Sequence, residues 1–380
     1  MYQLPPAGGY PSILRFLNQR SKSLELNTTL KQQFKQEVYL TNSGKSALLA
    51  VLLAQSKLRK SDQVKRVLIP NYCCPDLVFA INKAGLQTVL APVKKYTLEI
   101  DQEFYKNLDS KDYLAIILPN LYGMLDSIPE SIDPDILIID DLCLSLRNIK
   151  ETRADVSVFS AGRGKTICGF GGGGVIVKNS ELGKEVEKII SGFDKPSFIR
   201  DLKILAYATL IPILENPYLF FLLNKMVKTG EVKINFEFEA GQISKFEEEY
   251  ASFQNKRAQN IKETRVVDWS KEIKSKSIIH PYLEREKLER QEISSKNLNP
   301  PVFSRYPVIL EQLDNKALSR LKRWGINASY QKPLSEYEQL KSFVIYDSKK
   351  DQDFLKRIVT LPTHSKVKKE DVGEILRIIV

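Results

Sequence analysis

A single lysine stands between two glycine-rich turns in the segment VFSAGRGKTICGFGGGG, which spans residues 158–174. Glycines let the backbone approach a bound molecule closely, so Lys165 is placed to meet a ligand. Two kinds of chemistry suit it: its ammonium can neutralise a phosphate, or its free amine can attack a carbonyl and form a Schiff base. A solvent-facing loop lysine is the simpler alternative, but the β-type run before it and the GGGG after it argue against that.

Two aspartates end an apolar run in DILIIDDLCLSL, residues 135–146. A carboxylate at the end of a buried strand is costly unless it meets a partner. Asp141, preceded by Asp140, is therefore either the N-cap of a helix or a carboxylate that is held against a cationic group of a ligand.

The segment LTNSGKSALLA, residues 40–50, combines a strand end, a Ser-Gly turn and a helix start. The free N–H groups and the positive dipole end of a helix start favour a bound phosphate. Ser43, Gly44 and Lys45 are therefore candidate phosphate ligands, with an ordinary helix N-cap as the alternative for Ser43. The GxxxxGK[ST] spacing of a nucleotide-binding P-loop is absent.

Two further strand ends carry an aromatic or a polar side chain. Tyr72 follows RVLIP (66–70), and Ser160 closes VSVFS (156–160). Ligands of open α/β sheets bind at the carboxyl ends of the strands. Tyr72 can stack on a planar ring of a ligand there, or it can belong to the core.

The bulk composition is that of a globular protein long enough for two domains, with 380 residues, 43% hydrophobic and 27% charged. The formal net charge is +11, but the basic residues are scattered, so no nucleic-acid-binding arm is indicated. That charge suits anionic substrates or lipid headgroups, or reflects a general lysine bias.

Two histidines and four cysteines without CxxC spacing predict neither a metal site nor a histidine-centred triad. With no recognisable signal peptide, we expect a cytoplasmic protein.

The elements that must position these residues alternate between helix and strand over residues 32–180. The strands are continuous apolar runs, which predicts an α/β fold with a mostly parallel sheet covered by helices. A long charged helix is predicted over 236–263. We place a large ligand-binding domain at 1–232, and this helix with a smaller α/β domain at 233–380.

A phosphate-binding helix start, a buried aspartate and a lysine, in this order on an α/β sheet, are what pyridoxal phosphate requires. The sequence also resembles the DegT/StrS family of pyridoxal-phosphate-dependent aminotransferases, within the aspartate aminotransferase superfamily of fold type I. NSGKSALLAVLLA is similar to the family's SGTSALHLAL, IIDDLCLSL to IEDAAQALG, and VFSAGRGKTICGFGGGG to SFHPTKNLTTGEGG, with the same five-residue interval from Ser160 to Lys165. NFEFEAGQIS resembles NYRMSELQAA, which matches Asn235 and Gln242.

The resemblance implies a role for each of these residues. Lys165 carries the cofactor as a Schiff base, and Asp141 pairs with its ring nitrogen. The cofactor phosphate and ring are assigned to Ser43, Gly44, Lys45, Tyr72 and Ser160. Asn235 reaches the cofactor of the partner subunit in a homodimer with composite active sites. The implied reaction transfers an amino group from an amino acid such as glutamate to a nucleotide-linked keto sugar, in the biosynthesis of surface polysaccharide or glycan.

The sequence departs from the family pattern at several positions. Lys45 replaces a threonine, Asn120 replaces the histidine of HLYG, and Leu144 replaces a glutamine after the aspartate motif. Cys74 takes the place of the frequent stacking aromatic, while Tyr72 lies two residues earlier. These changes indicate a divergent subfamily.

Two alternatives to an aminotransferase are open. A sugar dehydratase of the same family is disfavoured because there a histidine replaces the lysine, whereas Lys165 is present here. A non-catalytic regulatory or structural protein with this fold is disfavoured because both Lys165 and Asp141 are retained.

An apolar insert at about residues 195–230 interrupts the alternation, and its core is the stretch ILAYATLIPILENPYLFFLLNKM (204–226). Pro212, Glu215 and Pro217 in its middle exclude a single membrane-spanning helix and predict two short helices joined at ENP. These helices pack on the large domain or on a dimer partner, or they form a hairpin that dips into an anionic membrane interface. The basic residues that flank the stretch are Arg200, Lys203, Lys225 and Lys228.

Overall fold

The computed structural model describes residues 2–5, 10, 13–19, 25–59, 66–129, 132–226, 238–259, 267–275, 277–285, 303–313, 315–328, 330–346 and 350–379. Its strands are β1 (Glu37–Thr41), β2 (Arg66–Pro70), β3 (Gln87–Ala91), β4 (Tyr113–Leu118), β5 (Leu137–Asp141), β6 (Val156–Ser160), β7 (Gly173–Val177), β8 (Tyr306–Ile309), β9 (Val344–Ile345) and β10 (Ile358–Leu361). Its helices are α1 (Ile13–Gln19), α2 (Leu26–Phe34), α3 (Gly44–Arg59), α4 (Asp76–Lys83), α5 (Ser180–Ser191), α6 (Phe198–Leu214), α7 (Pro217–Met226), α8 (Lys245–Gln259), α9 (Trp269–Glu272), α10 (Asn315–Lys322) and α11 (Lys369–Ile379).

Eight strands form one sheet in the order β1-β7-β6-β5-β4-β2-β3-β9. Neighbouring strands in the part β6-β5-β4-β2-β3-β9 are all parallel. Strand β7 runs antiparallel to its two neighbours, β1 and β6. Strands β2, β4 and β7 are almost entirely buried, which is why they read as continuous apolar runs rather than as alternating ones. The prediction of a mostly parallel α/β sheet is confirmed.

Helix α3 is the central helix of this layer. Its apolar residues pack on the sheet and against α4 and α5. Eight of its sixteen residues are buried, so the helix is fixed along most of its length and its N-terminus is held rigidly at the edge of the sheet.

Helix α8 is shorter than predicted. The expected span of 236–263 was wrong at its start, because the described residues from 238 to 244 are not helical and α8 begins at Lys245. Gly241 instead forms an isolated bridge with Asp194. The hydroxyl of Ser244 accepts the N–H of Glu247 at 3.0 Å and so caps the first turn.

The C-terminal part of the chain has a core of its own around Trp269, Tyr306 and Ile375. Strands β8 and β10 pair antiparallel in this core. Strand β9, however, pairs with β3 and extends the large sheet, so the C-terminal part also contributes to the large sheet. The boundary at residue 232 lies outside the described residues, and the division into two domains stays a prediction.

Helices α6 and α7 confirm the prediction of two short apolar helices joined at ENP. They are bent by 108° at the break between Leu214 and Pro217. No single helix of the described chain is long and apolar enough to cross a membrane. Taken together, the two helices of this bent pair have the length and the apolar composition of a membrane span.

Candidate active site

The candidate residues lie where five strands end at one edge of the large sheet. Strands β1, β2, β4, β5 and β6 run in the same direction, and β7 starts at the edge where they finish. We name the group at this edge the sheet-edge site. Its members are Ser43, Gly44, Cys74, Asp141, Cys143, Ser160 and Lys165.

The start of α3 forms one wall of the sheet-edge site. A Cβ atom added at Gly44 would stand 2.9 Å from the Cβ of Ser160 and 3.1 Å from the Sγ of Cys143. A side chain therefore has no room here, and the backbone of the first helical turn lies directly against both residues. The Ser43 hydroxyl accepts the N–H of Ser46 at 3.2 Å. Ser43 therefore caps α3 and also lies at the sheet-edge site.

The two aspartates at the end of β5 have different partners. Asp140 is fully buried, and it accepts hydrogen bonds from the guanidinium of Arg153 at 2.7 and 3.2 Å. The side-chain amide of Asn120 donates to the same carboxylate at 2.6 Å. Asn120, where the family pattern has a histidine, therefore ties the end of β4 to the end of β5.

Asp141 is the aspartate that belongs to the sheet-edge site. Its carboxylate accepts the backbone N–H of Cys143 at 2.9 Å. Burial raises the pKa of Asp141, while the hydrogen bonds from Cys143 and the positive charge of Lys165 act against this rise. A buried carboxylate of this kind is stabilised by a further cationic group beside it.

Lys165 lies half-buried in the loop between β6 and β7. Burial acts to lower its pKa, but the nearby acidic groups, first Cys143, then Cys74 and Asp141, outweigh burial and raise it. Both thiols have raised pKa values because they are buried, that of Cys74 to about 11. At neutral pH the thiols are therefore uncharged, and Asp141 is the carboxylate of this group that acts electrostatically on Lys165.

Lys45 does not direct its charge toward Ser160. Its ammonium pairs with the carboxylate of Asp76 at 3.3 Å, at the start of α4, and lies over the ring of Phe238 at 5.2 Å from the centroid. Its place on the phosphate side stays a prediction, and this structure gives the ammonium a different partner.

Tyr72 is fully buried. Its hydroxyl is 3.2 Å from that of Tyr122, and its ring meets Tyr330 edge-on with 5.2 Å between centroids. The ring therefore packs in the core of this structure, and its stacking on a ligand ring stays a prediction. Cys74 is half-buried next to Lys165 and Asp141.

Sequence reasoning missed a guanidinium and three tyrosines near the site. Arg305 is half-buried, and burial lowers its pKa, while Tyr122, Tyr10 and Tyr330 act to raise it. Its guanidinium donates a long hydrogen bond of 3.4 Å to the hydroxyl of Thr360. No carboxylate within the described ranges pairs with Arg305. Its position becomes visible only when the C-terminal part is folded onto the sheet.

Tyr10 joins the N-terminal segment to the loop of Lys165. Its hydroxyl accepts the N–H of Gly164 at 3.1 Å, and its ring packs on Phe170 at 5.2 Å. The predicted site residue Asn235 lies outside the described residues, and its position is not assigned.

No protein-family model matches the sequence, and no curated protein matches it. The structure is similar to PseC of Helicobacter pylori, described as an aminotransferase involved in the biosynthesis of pseudoaminic acid, with a TM-score of 0.63 and 18% identity over 100% of this chain and 97% of that one. It is also similar to the sugar aminotransferase CalS13 of Micromonospora echinospora, with a TM-score of 0.65 and 15% identity over 100% and 99% of the two chains.

A third similar structure carries a different activity. The E. coli GDP-4-keto-6-deoxy-D-mannose-3-dehydratase, solved with hydrated pyridoxal phosphate, has a TM-score of 0.65 and 12% identity over 100% of both chains. These likenesses establish that the chain has the fold of the fold-type-I sugar aminotransferases and of this dehydratase, as the sequence predicted.

Proposed function

We propose that this protein is a pyridoxal-phosphate-dependent aminotransferase of the DegT/StrS family. It would move an amino group from an amino acid such as glutamate to a nucleotide-linked keto sugar, in the formation of a surface polysaccharide or glycan. The observation that carries the proposal is that Lys165 and the buried carboxylate of Asp141, which act on each other electrostatically, lie at the sheet edge together with the start of α3. Similar folds in proteins described as sugar aminotransferases support it.

The residues of the sheet-edge site fit pyridoxal phosphate. The side-chain-free start of α3 at Gly44, with Ser43 and Ser160 beside it, is suited to a phosphate. Asp141 is suited to a protonated ring nitrogen, and Lys165 to the aldehyde. When bound, the cofactor supplies an aldehyde that takes up amino groups and a ring that withdraws electrons from the substrate carbon.

Each side chain then has a defined task. Lys165 would hold the cofactor through its Nζ atom, and its amine would move a proton at the substrate Cα. Asp141 holds the proton on the ring nitrogen, and the positive charge there offsets the burial that raises the pKa of Asp141. Cys143 supports Asp141 through its backbone N–H.

Arg305 is the group that we assign to the amino donor. A half-buried guanidinium without a carboxylate partner in the described chain is costly, and a carboxylate of the substrate would remove that cost with charge-assisted hydrogen bonds. Tyr10, which contacts the loop of Lys165, and Tyr330, beside Cys74, both lie near Arg305.

The proposed enzyme is a cytoplasmic homodimer, and each of its active sites contains residues of both subunits. Asn235 would act on the cofactor phosphate of the partner subunit. Mixing inactive Lys165→Ala and Asn235→Ala protomers tests this, because a heterodimer would contain one intact site. Absence of rescue in proven heterodimers would mean that Asn235 acts within its own subunit or has no role.

A sugar dehydratase is the second candidate, since one such enzyme shares the fold equally well. The family pattern has a histidine in place of the lysine in dehydratases. Lys165 is present in this chain, which favours amino transfer.

The deciding experiment is a screen of nucleotide-linked keto sugars and amino donors with the purified protein and pyridoxal phosphate. We expect a visible absorption band of lysine-bound cofactor that bleaches with an amino donor and returns with the right keto sugar. Loss of sugar oxygen without uptake of nitrogen would favour the dehydratase. A protein that binds no cofactor would refute both.

A further inference from the structure

The largest group of exposed apolar side chains lies on the α6–α7 pair. Of the fourteen large apolar residues that are exposed in the described part of the chain, ten lie on these two helices. The buried residues of α6 are Ile204 and Ala208, and Phe198 at its start is 75% exposed. A helix that is apolar on nearly every side requires apolar surroundings, and a patch of this kind marks an interaction surface.

The acidic side chains of α6 and of the bend are buried or half-buried, whereas lysines are exposed. Glu215 at the bend is turned inward, where it is 3% exposed and accepts the N–H of Tyr10 at 3.2 Å. Asp201 is half-buried and accepts the hydroxyl of Ser244. The exposed charged side chains on α6 and α7 are Lys203 and Lys225, while the exposed Asp194 and Lys195 before α6 have opposite charges. The outward surface of the two helices is therefore apolar with positive charges only.

We propose that the α6–α7 face docks on the surface of an anionic lipid membrane. Its apolar side chains would enter the interface, and its lysines would meet the acidic headgroups. A second copy of this chain suits the surface less well, because it would bring the same positive charges toward it. The bend of 108° leaves the two helices as short segments that can lie in the interface plane rather than span the bilayer.

The docking face is attached directly to the sheet-edge site. Arg200 of α6 donates to the carbonyl of Asn42 at 2.6 Å, one residue before Ser43. At the bend, Glu215 binds Tyr10, whose hydroxyl meets the N–H of Gly164 beside Lys165. A docked protein would thus hold its active site close to the membrane. This last step rests on the proposed function, whereas the docking itself does not.

The test is flotation of the full-length protein with vesicles of phosphatidylcholine, with and without phosphatidylglycerol. We expect binding to the anionic vesicles at low salt and its loss at high salt. Leu210→Asp with Ile213→Asp, at positions that are 52% and 55% exposed, should abolish flotation. The matched control is Tyr96→Asp, at an exposed position (50%) outside α6 and α7, and it should float like the wild type.

A second pair of variants tests the lysines. Lys203→Glu with Lys225→Glu should weaken vesicle binding about tenfold or more, whereas Lys111→Glu with Lys366→Glu, the same change of net charge elsewhere, should weaken it far less. Equal weakening by both pairs would reduce the effect to overall charge and overturn the proposal.

Two other outcomes would also overturn it. The first is wild-type protein that stays in the soluble fraction at low salt. The second is a dimer that dissociates on Leu210→Asp with Ile213→Asp, measured by sedimentation, which would make the face an interface between copies. Cofactor binding and amino transfer with a water-soluble substrate should be unchanged in these variants, so failure of docking is distinguishable from failure of the proposed enzyme.

Discussion

Asp140 and Asp141 are adjacent in the sequence, yet Asp140 is bound by the guanidinium of Arg153, whereas Asp141 accepts the backbone N–H of Cys143 and is acted on by the charge of Lys165. The strand twist and the alternation of side chains separate the two carboxylates to different sides of the sheet edge. One carboxylate therefore holds strand ends together, and the other is left for a ligand.

Asp141→Asn should keep the fold and lower amino transfer by about 100-fold or more, because a neutral partner stabilises the charged ring poorly. Its stability should be close to that of the wild type, since burial already disfavours the charged form of Asp141. Steady-state rates and urea denaturation measure the two effects. A wild-type rate would move the role to another carboxylate, with Asp140 as the first candidate.

Asp140→Asn is the matched variant, and it should show the opposite pattern. It leaves the guanidinium of Arg153 without its anion, which should cost about 2–3 kcal/mol of unfolding free energy. The catalytic rate of the folded fraction should fall much less than in Asp141→Asn. Equal rate losses in the two variants would contradict the separation of their roles.

Lys165→Ala should abolish amino transfer and the visible band of lysine-bound cofactor, because the covalent attachment requires its amine. Borohydride reduction followed by mass spectrometry should label the wild type at Lys165 and leave the variant unlabelled. Lys178→Ala, at an exposed position just after β7, should be labelled like the wild type. A label on another lysine would refute the assignment of Lys165.

Gly44→Ala should weaken cofactor binding, because the new methyl group would stand 2.9 Å from the Cβ of Ser160. Relieving such a contact costs about 1–3 kcal/mol of folding stability and displaces the first turn of α3, so the displaced turn should bind pyridoxal phosphate about tenfold or more weakly. Gly373→Ala has open space around it and should bind cofactor normally while adding about 0.5–1 kcal/mol of stability in α11. Equal affinities would show that the start of α3 is not the phosphate site.

The sheet and most of the site were predictable because they depend on local patterns. Continuous apolar runs identified the strands, and the polar residues that end them, such as Asp141 and Ser160, converge by the geometry of a parallel sheet. The start of α8 was missed because Gly241 pairs with Asp194, a contact that sequence periodicity does not report.

Sequence periodicity also does not report three tertiary contacts in and around the site. The partner of Lys45 is Asp76 on another helix, and the burial of Tyr72 depends on Tyr122 and Tyr330 from distant segments. Arg305 comes from the C-terminal part of the chain, more than a hundred residues away from Lys165 in sequence. These relations arise from tertiary packing, which overrides what a short segment indicates.

Arg305→Ala should raise KM for the amino donor about tenfold to a hundredfold with a smaller change in kcat, because it removes charge-assisted hydrogen bonds made to the donor carboxylate. Arg305→Lys should recover part of the loss. Arg320→Ala, at an exposed position on α10, is the control and should behave like the wild type. Calorimetric titration with a dicarboxylate that lacks the amino group provides a readout independent of catalysis, and unchanged affinity in Arg305→Ala would refute the assignment.

His364 should make stability fall between about pH 6.5 and pH 4. Burial lowers its pKa to about 4, with the positive charges of Arg305 and Lys366 adding to that effect, while the Pro5 carbonyl and Asp371 act against it. The unfolded chain has a histidine pKa of about 6.5 and binds the proton first, so unfolding free energy is fully retained above this value and is lost by about 2–3 kcal/mol as the pH falls toward 4.

The measurement is urea denaturation of the wild type and His364→Gln at several pH values in this window. The variant should lose the hydrogen bond of 2.8 Å to the Pro5 carbonyl and be less stable at pH 7. Its stability should depend less steeply on pH, because the titrating group is gone. Parallel pH profiles in the two proteins would show that His364 is not the group responsible, and that carboxylates control stability throughout this range.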